Sequence, residues 1–91
     1  VEGVDAVFIG PYDLSANYGY IGNPGAPEVV EAVQSSLDKI AASDKASGIM
    51  ALDPAAAKSY LDRGVDFVAV SIDARTLALS LRAISADMRN R

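Results

Sequence analysis

An α/β fold with parallel strands is predicted for this 91-residue chain by three features. Short apolar runs rich in β-branched and aromatic residues alternate with stretches of helical period, and the alternation occurs three times. Each apolar run gives way to an aspartate, in "GPYD", "MALD" and "VSID". Strands separated by helices of this length run parallel, and parallel sheets belong almost entirely to α/β proteins.

The first strand is predicted over "VDAVFI", Val4 to Ile9, buried on both faces and ended by Gly10-Pro11. The following "SANYGYIGNPGAP" carries Gly19, Gly22, Gly25, Pro24 and Pro27, too much turn chemistry for a long regular element. From Pro27, a residue suited to the first helical position, Val29, Val30, Val33, Leu37, Ile40 and Ala41 form one apolar stripe, and this helix is expected to stop near Ser43 to Lys45. The second strand is predicted over Ala46 to Leu52. Asp53-Pro54 then reads as an N-cap with proline at the first helical position, and Gly64 as the left-handed residue that ends the helix. The third strand is predicted over Asp66 to Ile72. Leu77, Leu81, Ile84 and Met88 mark the apolar stripe of a closing helix, which must be buried somewhere.

Two architectures fit this order: a doubly wound open sheet and a segment of a (β/α)8 barrel. A barrel of ~250 residues allots roughly 31 residues to each of eight units, so the chain is about three units long. Three parallel strands alone leave two unpaired edges. The chain also starts without Met, at the approach to a strand, and reads as a piece. The expected fold is therefore the C-terminal three βα units of a (β/α)8 barrel, with residues 1–91 forming the C-terminal part of one barrel domain whose earlier strands are absent.

Composition narrows the function. Hydrophobic residues at 51% and charged residues at 22% are the balance of a globular protein. No apolar run approaches the ~18 residues of a membrane span, no signal sequence is visible, and a cytoplasmic protein is expected. There is no Cys or His, so a metal held by these residues would have only oxygen ligands. The net charge of -4 argues against nucleic acid as a partner. Arg82, Arg89 and Arg91, near the C-terminus, are expected to complement the dipole of the last helix.

The three aspartates should share the carboxyl edge of the sheet, the face on which barrel enzymes carry their chemistry. N-capping accounts for Asp53 and Asp73. Asp13 is the candidate ligand: Gly10 lets the backbone approach a ligand, Pro11 stiffens the bend, and a hard cation such as Mg2+ takes one or two carboxylates besides water and substrate oxygens. Capping of a short turn through "LSAN" is the competing role of Asp13. Lys39, Lys45 and Lys58 are expected to be solvated, away from the strand ends. Tyr18 and Tyr20 read chiefly as loop anchors. The glycines of "NYGYIGNPG" do not lead into a phosphate-binding Gly-Lys-Ser sequence.

The stretch "GVDAVFIGPYDLSANYGYIGNPGAPEV", with "GIMALD" and "AKSYLDRGVDFVAVSID", resembles the HpcH/HpaI (4-hydroxy-2-oxoheptanedioate) aldolase family over essentially the whole chain. The resemblance implies a (β/α)8 class II aldolase that cleaves 4-hydroxy-2-oxo acids to pyruvate and an aldehyde. It also implies Mg2+ or Mn2+ on Asp13, the backbone N–H of Tyr12 against the bound 2-oxo acid, and a homo-oligomer in which the C-terminal helix packs on a neighbouring protomer. The family's second carboxylate ligand, its arginine and its catalytic histidine lie on earlier strands. No catalytic residue is therefore expected in this chain, which alone should be inactive. Tyr12 stands where the family commonly has a small residue, Ala26 where it has histidine, and Ser71 and Ala6 where it often has glycine. A non-catalytic barrel-derived binding module, or a citrate-lyase-like or malyl-CoA-lyase-like carbon-carbon lyase, are the alternatives.

Overall fold

The computed structural model describes residues 2–90. Its strands are β1 (Ala6–Ile9), β2 (Ala46–Ala51) and β3 (Phe67–Val70), and its helices are α1 (Pro11–Asn17), α2 (Pro27–Ala41), α3 (Pro54–Arg63) and α4 (Asp73–Arg89). The strands form one parallel sheet in the order β1-β2-β3, each beside its predecessor in the chain.

One face of the sheet is covered by α2 and α3. Ile9 and Ile49 project from it to meet Val33, Leu37 and Ile40 of α2, with Val65 and the partly buried Leu14, Tyr60 and Val68 completing the core. The predicted stripe of α2 is the buried stripe at Val29, Val33, Leu37 and Ile40, whereas Val30 and Ala41 at its margins stay exposed. Arg63 joins α3 to α2, its Nη2 lying 2.6 Å from the Asp38 carboxylate and 3.2 Å from the Gln34 carbonyl oxygen. β3 is registered by a reciprocal tie: the Ser47 N–H donates to Asp66 Oδ2 at 2.8 Å, and the Asp66 N–H donates to Ser47 Oγ at 3.2 Å.

The opposite face is open, and here the expectation of a first strand buried on both faces fails. Only Ile9 of β1 is buried: Ala6 and Phe8, which alternate with it, have no covering layer, and Val7, on the same face as Ile9, is still 38% exposed. Phe8, Gly48 and Phe67 lie level with one another across the three strands. The two rings stack above Gly48 with centroids 5.9 Å apart, and a Cβ on Gly48 would clash with the Cζ edge of the Phe67 ring. Side chains from alternate strands meeting in one layer are the filling pattern of a barrel interior.

Helix ends follow local chemistry. Asp53 caps α3 by accepting the Ala56 N–H at 2.9 Å, Pro54 opens the helix, and Gly64 closes it at φ 104. Asp73 departs from its predicted capping role: Ile72 is the N-cap, Asp73 is the first helical residue, and its Oδ1 accepts the adjacent Ala74 N–H at 2.8 Å. Its charge still lies at the positive end of the helix dipole. Arg89 lies in the last turn of α4 as predicted, Arg82 falls mid-helix and so cannot complement that end, and Arg91 lies outside the described residues. α4 buries none of its residues; Leu77, Leu81, Ile84 and Met88 are all more than half exposed. Lys39 and Lys58 are exposed as expected. Lys45 is not: its side chain is only 20% exposed, beside Asp44 at 3.4 Å.

Candidate functional site at the carboxyl edge

All strands being parallel, their carboxyl ends share one edge, and the segments carrying Asp13, Asp53 and Asp73 leave from it. The predicted long loop after β1 is shorter than the sequence suggests. Residues 11–17 form α1, with Gly10 as N-cap and Pro11 at the first position, where a missing N–H costs nothing. Asp13 is thus inside the first turn and does not cap a turn. Ser15, fully buried, donates its Oγ–H to the Tyr12 carbonyl at 2.6 Å, and the Tyr20 N–H donates to the Ser15 carbonyl at 2.8 Å. "DLS" therefore builds the turn that presents Asp13.

The Asp13 side chain is exposed and folds back over Gly10, its Oδ2 only 3.3 Å from where a Cβ on that residue would stand. It pairs with no Lys or Arg among the described residues. An exposed, uncompensated carboxylate beside a glycine that leaves room for it fits one ligand of an oxygen-preferring cation. Among the described residues no three His, Cys, Asp or Glu side chains converge.

Tyr12 occupies the second position of α1, where a backbone N–H has no carbonyl one turn earlier to bond. The residue is 43% exposed and borders two clefts. One, about 270 Å3, is lined by Gly10, Asp13, Phe8 and Ile72; the other, about 290 Å3, by Asp53, Gln34, Tyr60 and Arg75. Pro11, Tyr12, Met50 and Leu52 border both. Asp53 is therefore a helix cap that also faces a cleft, and Asp73 borders neither. Arg75 escaped the sequence reading because nothing in "DARTLAL" marks it. It is half-buried, and its Nη1 donates to the Leu52 carbonyl at 3.1 Å.

Ser71 is held at φ 67, the only non-glycine at positive φ among the described residues, with its N–H on the Ala51 carbonyl at 2.8 Å and its Oγ 2.7 Å from Thr76 Oγ1. That left-handed conformation explains why glycine suits this position. In the loop after α1, Tyr20 is held above its ordinary pKa by hydrogen bonding to Glu28 and by the charge of that carboxylate. Tyr18 is half exposed.

A parallel βα segment with helices on one face, an aromatic layer on the other and an acidic, clefted carboxyl edge defines a segment of an α/β barrel. Residues 1–79 match the family described as HpcH/HpaI aldolase/citrate lyase, and the chain belongs to that family. It is 49% identical to the hydroxypyruvate/pyruvate aldolase of Pseudomonas aeruginosa over 93% of its own length and 32% of that protein. It is 50% identical to the 4-hydroxy-2-oxo-heptane-1,7-dioate aldolase of Escherichia coli over 94% of its own length and 33% of that protein. Among solved structures, an HpcH/HpaI aldolase/citrate lyase family protein from Burkholderia cenocepacia superposes with a TM-score of 0.83 at 35% identity, covering 97% of this chain and 34% of that one. The HpcH/HpaI aldolase of Desulfitobacterium hafniense superposes at 0.88 with 27% identity, covering 100% and 36%. The chain thus spans about a third of each relative, and its fold is that of three βα units of their barrels.

Proposed function

We propose that residues 1–91 are the C-terminal part of a single barrel domain, and that the whole domain is a class II aldolase cleaving 4-hydroxy-2-oxo acids to pyruvate and an aldehyde. The observation that carries this reading is the Asp13 carboxylate, exposed and unpaired over Gly10 at the carboxyl edge. It is supported by the aldolase names of relatives at 49% and 50% identity. Asp13 would hold Mg2+ or Mn2+ together with ligands from outside this chain. The bound cation supplies Lewis-acid stabilisation of the negative charge that develops on the 2-oxo oxygen. The Tyr12 backbone N–H, held in the first turn of α1 just after Pro11, offers a fixed donor to the 2-oxo acid. Met50, Leu52 and Ile72 wall the cleft with apolar surface and keep water from the reacting carbons.

Small 2-oxo acids and aldehydes are the partners this reading requires. The uncovered stripe of α4 supports a homo-oligomer through that helix. No helix among the described residues is long and apolar enough to cross a membrane, and a cytoplasmic setting is part of the proposal. The test is release of pyruvate from 4-hydroxy-2-oxo acids by the full-length protein, with and without chelator. Metal-dependent release that is lost in Asp13→Asn is expected; release indifferent to chelator would refute the class II reading.

A further inference from the structure

Ser71 holds a conformation that its side chain opposes. At φ 67 it is the only non-glycine in the left-handed region among the described residues, and a Cβ there crowds the following carbonyl oxygen. Such a backbone persists only where its neighbours fix it. The Ser71 N–H donates to the Ala51 carbonyl, at the end of β2, at 2.8 Å. The Ser71 and Thr76 hydroxyls share a hydrogen bond of 2.7 Å, and the Thr76 N–H donates to the Ile72 carbonyl at 2.9 Å. Ile72 is therefore gripped from both sides, by the strained residue before it and by Thr76 in the first turn of α4. It is the extended N-cap of α4, at φ -135 and ψ 141, and it lines the cleft of about 270 Å3 that Asp13 also lines.

We propose that Ser71 is a positioning residue: its hydroxyl bond to Thr76 fixes Ile72 as a wall of the Asp13 cleft, and that wall selects against bulky aldehyde units. Resting on the aldolase reading above, this role concerns the second half of the substrate. Asp13 and the Tyr12 N–H hold the pyruvate unit in that reading, which leaves the apolar wall of the same cleft, Ile72 included, to the aldehyde unit. Glycine at position 71 would adopt the same backbone without strain but would also leave it freely, and it has no hydroxyl to offer Thr76. The wall would then yield to a larger group.

The test compares kcat/KM of the full-length protein for two 4-hydroxy-2-oxo acids of equal charge: the pentanoate, which releases acetaldehyde, and the 5-methylhexanoate, which releases 2-methylpropanal. The unsubstituted protein should prefer the first. Ser71→Gly should reduce that preference by on the order of tenfold, the lower end of what one methylene is worth against an apolar wall. Thr76→Val replaces the hydroxyl by a methyl group and should act alike, and the double variant should do no more than either, since both break the same bond. A thermal melt checks that Ser71→Gly keeps the fold, and a merely structural role predicts no change in the ratio. Equal losses on both substrates, an unchanged ratio, or an effect of Ser71→Gly that Thr76→Val does not share would each overturn the proposal. Exchange of the pyruvate methyl protons with deuterium separates it from the reading on which it rests. A protein that exchanges them but shows no preference between the two acids loses the role of Ser71 and keeps the reading. A protein that neither exchanges them nor cleaves either acid loses both.

Discussion

Gly10→Ala tests the reading of Asp13 without touching a ligand atom. The new Cβ would lie 3.3 Å from Asp13 Oδ2, inside the ~3.5–4.0 Å at which non-bonded atoms are most favourably spaced. The backbone there is extended, φ -106 and ψ 96, so alanine is tolerated conformationally and the strain falls on the carboxylate. Relief requires a displacement of a few tenths of an ångström, comparable with the ~0.2 Å tolerance of metal-ligand distances. Displacing a ligand by that much should weaken Mn2+ binding about tenfold, the lower end of what lost ligand positioning costs. The loss of glycine at the N-cap adds less than about 1 kcal/mol to the cost in stability. Mn2+ titration followed by electron paramagnetic resonance, on the full-length protein, reads the affinity, and a thermal melt without metal reads the fold. In an Asp13→Asn background the added alanine should have no further effect. An affinity unchanged by Gly10→Ala, or reduced equally in both backgrounds, would refute the argument that Asp13 holds the cation from over Gly10.

Asp53→Ala should destabilise the protein by about 1 kcal/mol and Asp53→Asn by little, because only the first removes the acceptor of the Ala56 N–H; chemical denaturation distinguishes them. Ser71→Val should cost about 2 kcal/mol, since a β-branched residue at φ 67 is strained. Ser71→Gly should stay within about 1 kcal/mol of the parent, relief of strain offsetting the lost Thr76 contact and the freer unfolded chain. Gly48→Ala should displace the Phe67 ring and forfeit about 1 kcal/mol of stacking with Phe8. A double-mutant cycle with Phe67→Ala should then give a coupling above about 0.5 kcal/mol, and additivity would contradict the layer described here.

The regular elements were legible because their signals are local. Proline at the first position of α2 and α3, the Asp53 cap and Gly64 are short-range instructions that the structure obeys residue by residue. α1 was obscured because its few residues are followed by glycine and proline, and the bond from buried Ser15 to Tyr12 that steadies it leaves no periodicity in the sequence. Burial of β1 was overestimated for a tertiary reason. An apolar run states that a strand can be covered on both faces, while the coverage itself depends on what lies above Phe8 and Phe67. Asp13 was singled out by its neighbours Gly10 and Pro11 and by the family resemblance. Arg75 was missed because its meaning comes from the Leu52 carbonyl, twenty-three residues away.

The central claim, that Asp13 supports a metal-dependent reaction of a 2-oxo acid, is tested most directly by exchange of the pyruvate methyl protons with deuterium in the full-length protein, followed by NMR. This readout requires no knowledge of the aldehyde. The account predicts exchange that needs Mg2+ or Mn2+, stops with chelator and is lost in Asp13→Asn. No exchange from a folded, metal-loaded protein, or exchange that persists in Asp13→Asn, would contradict it.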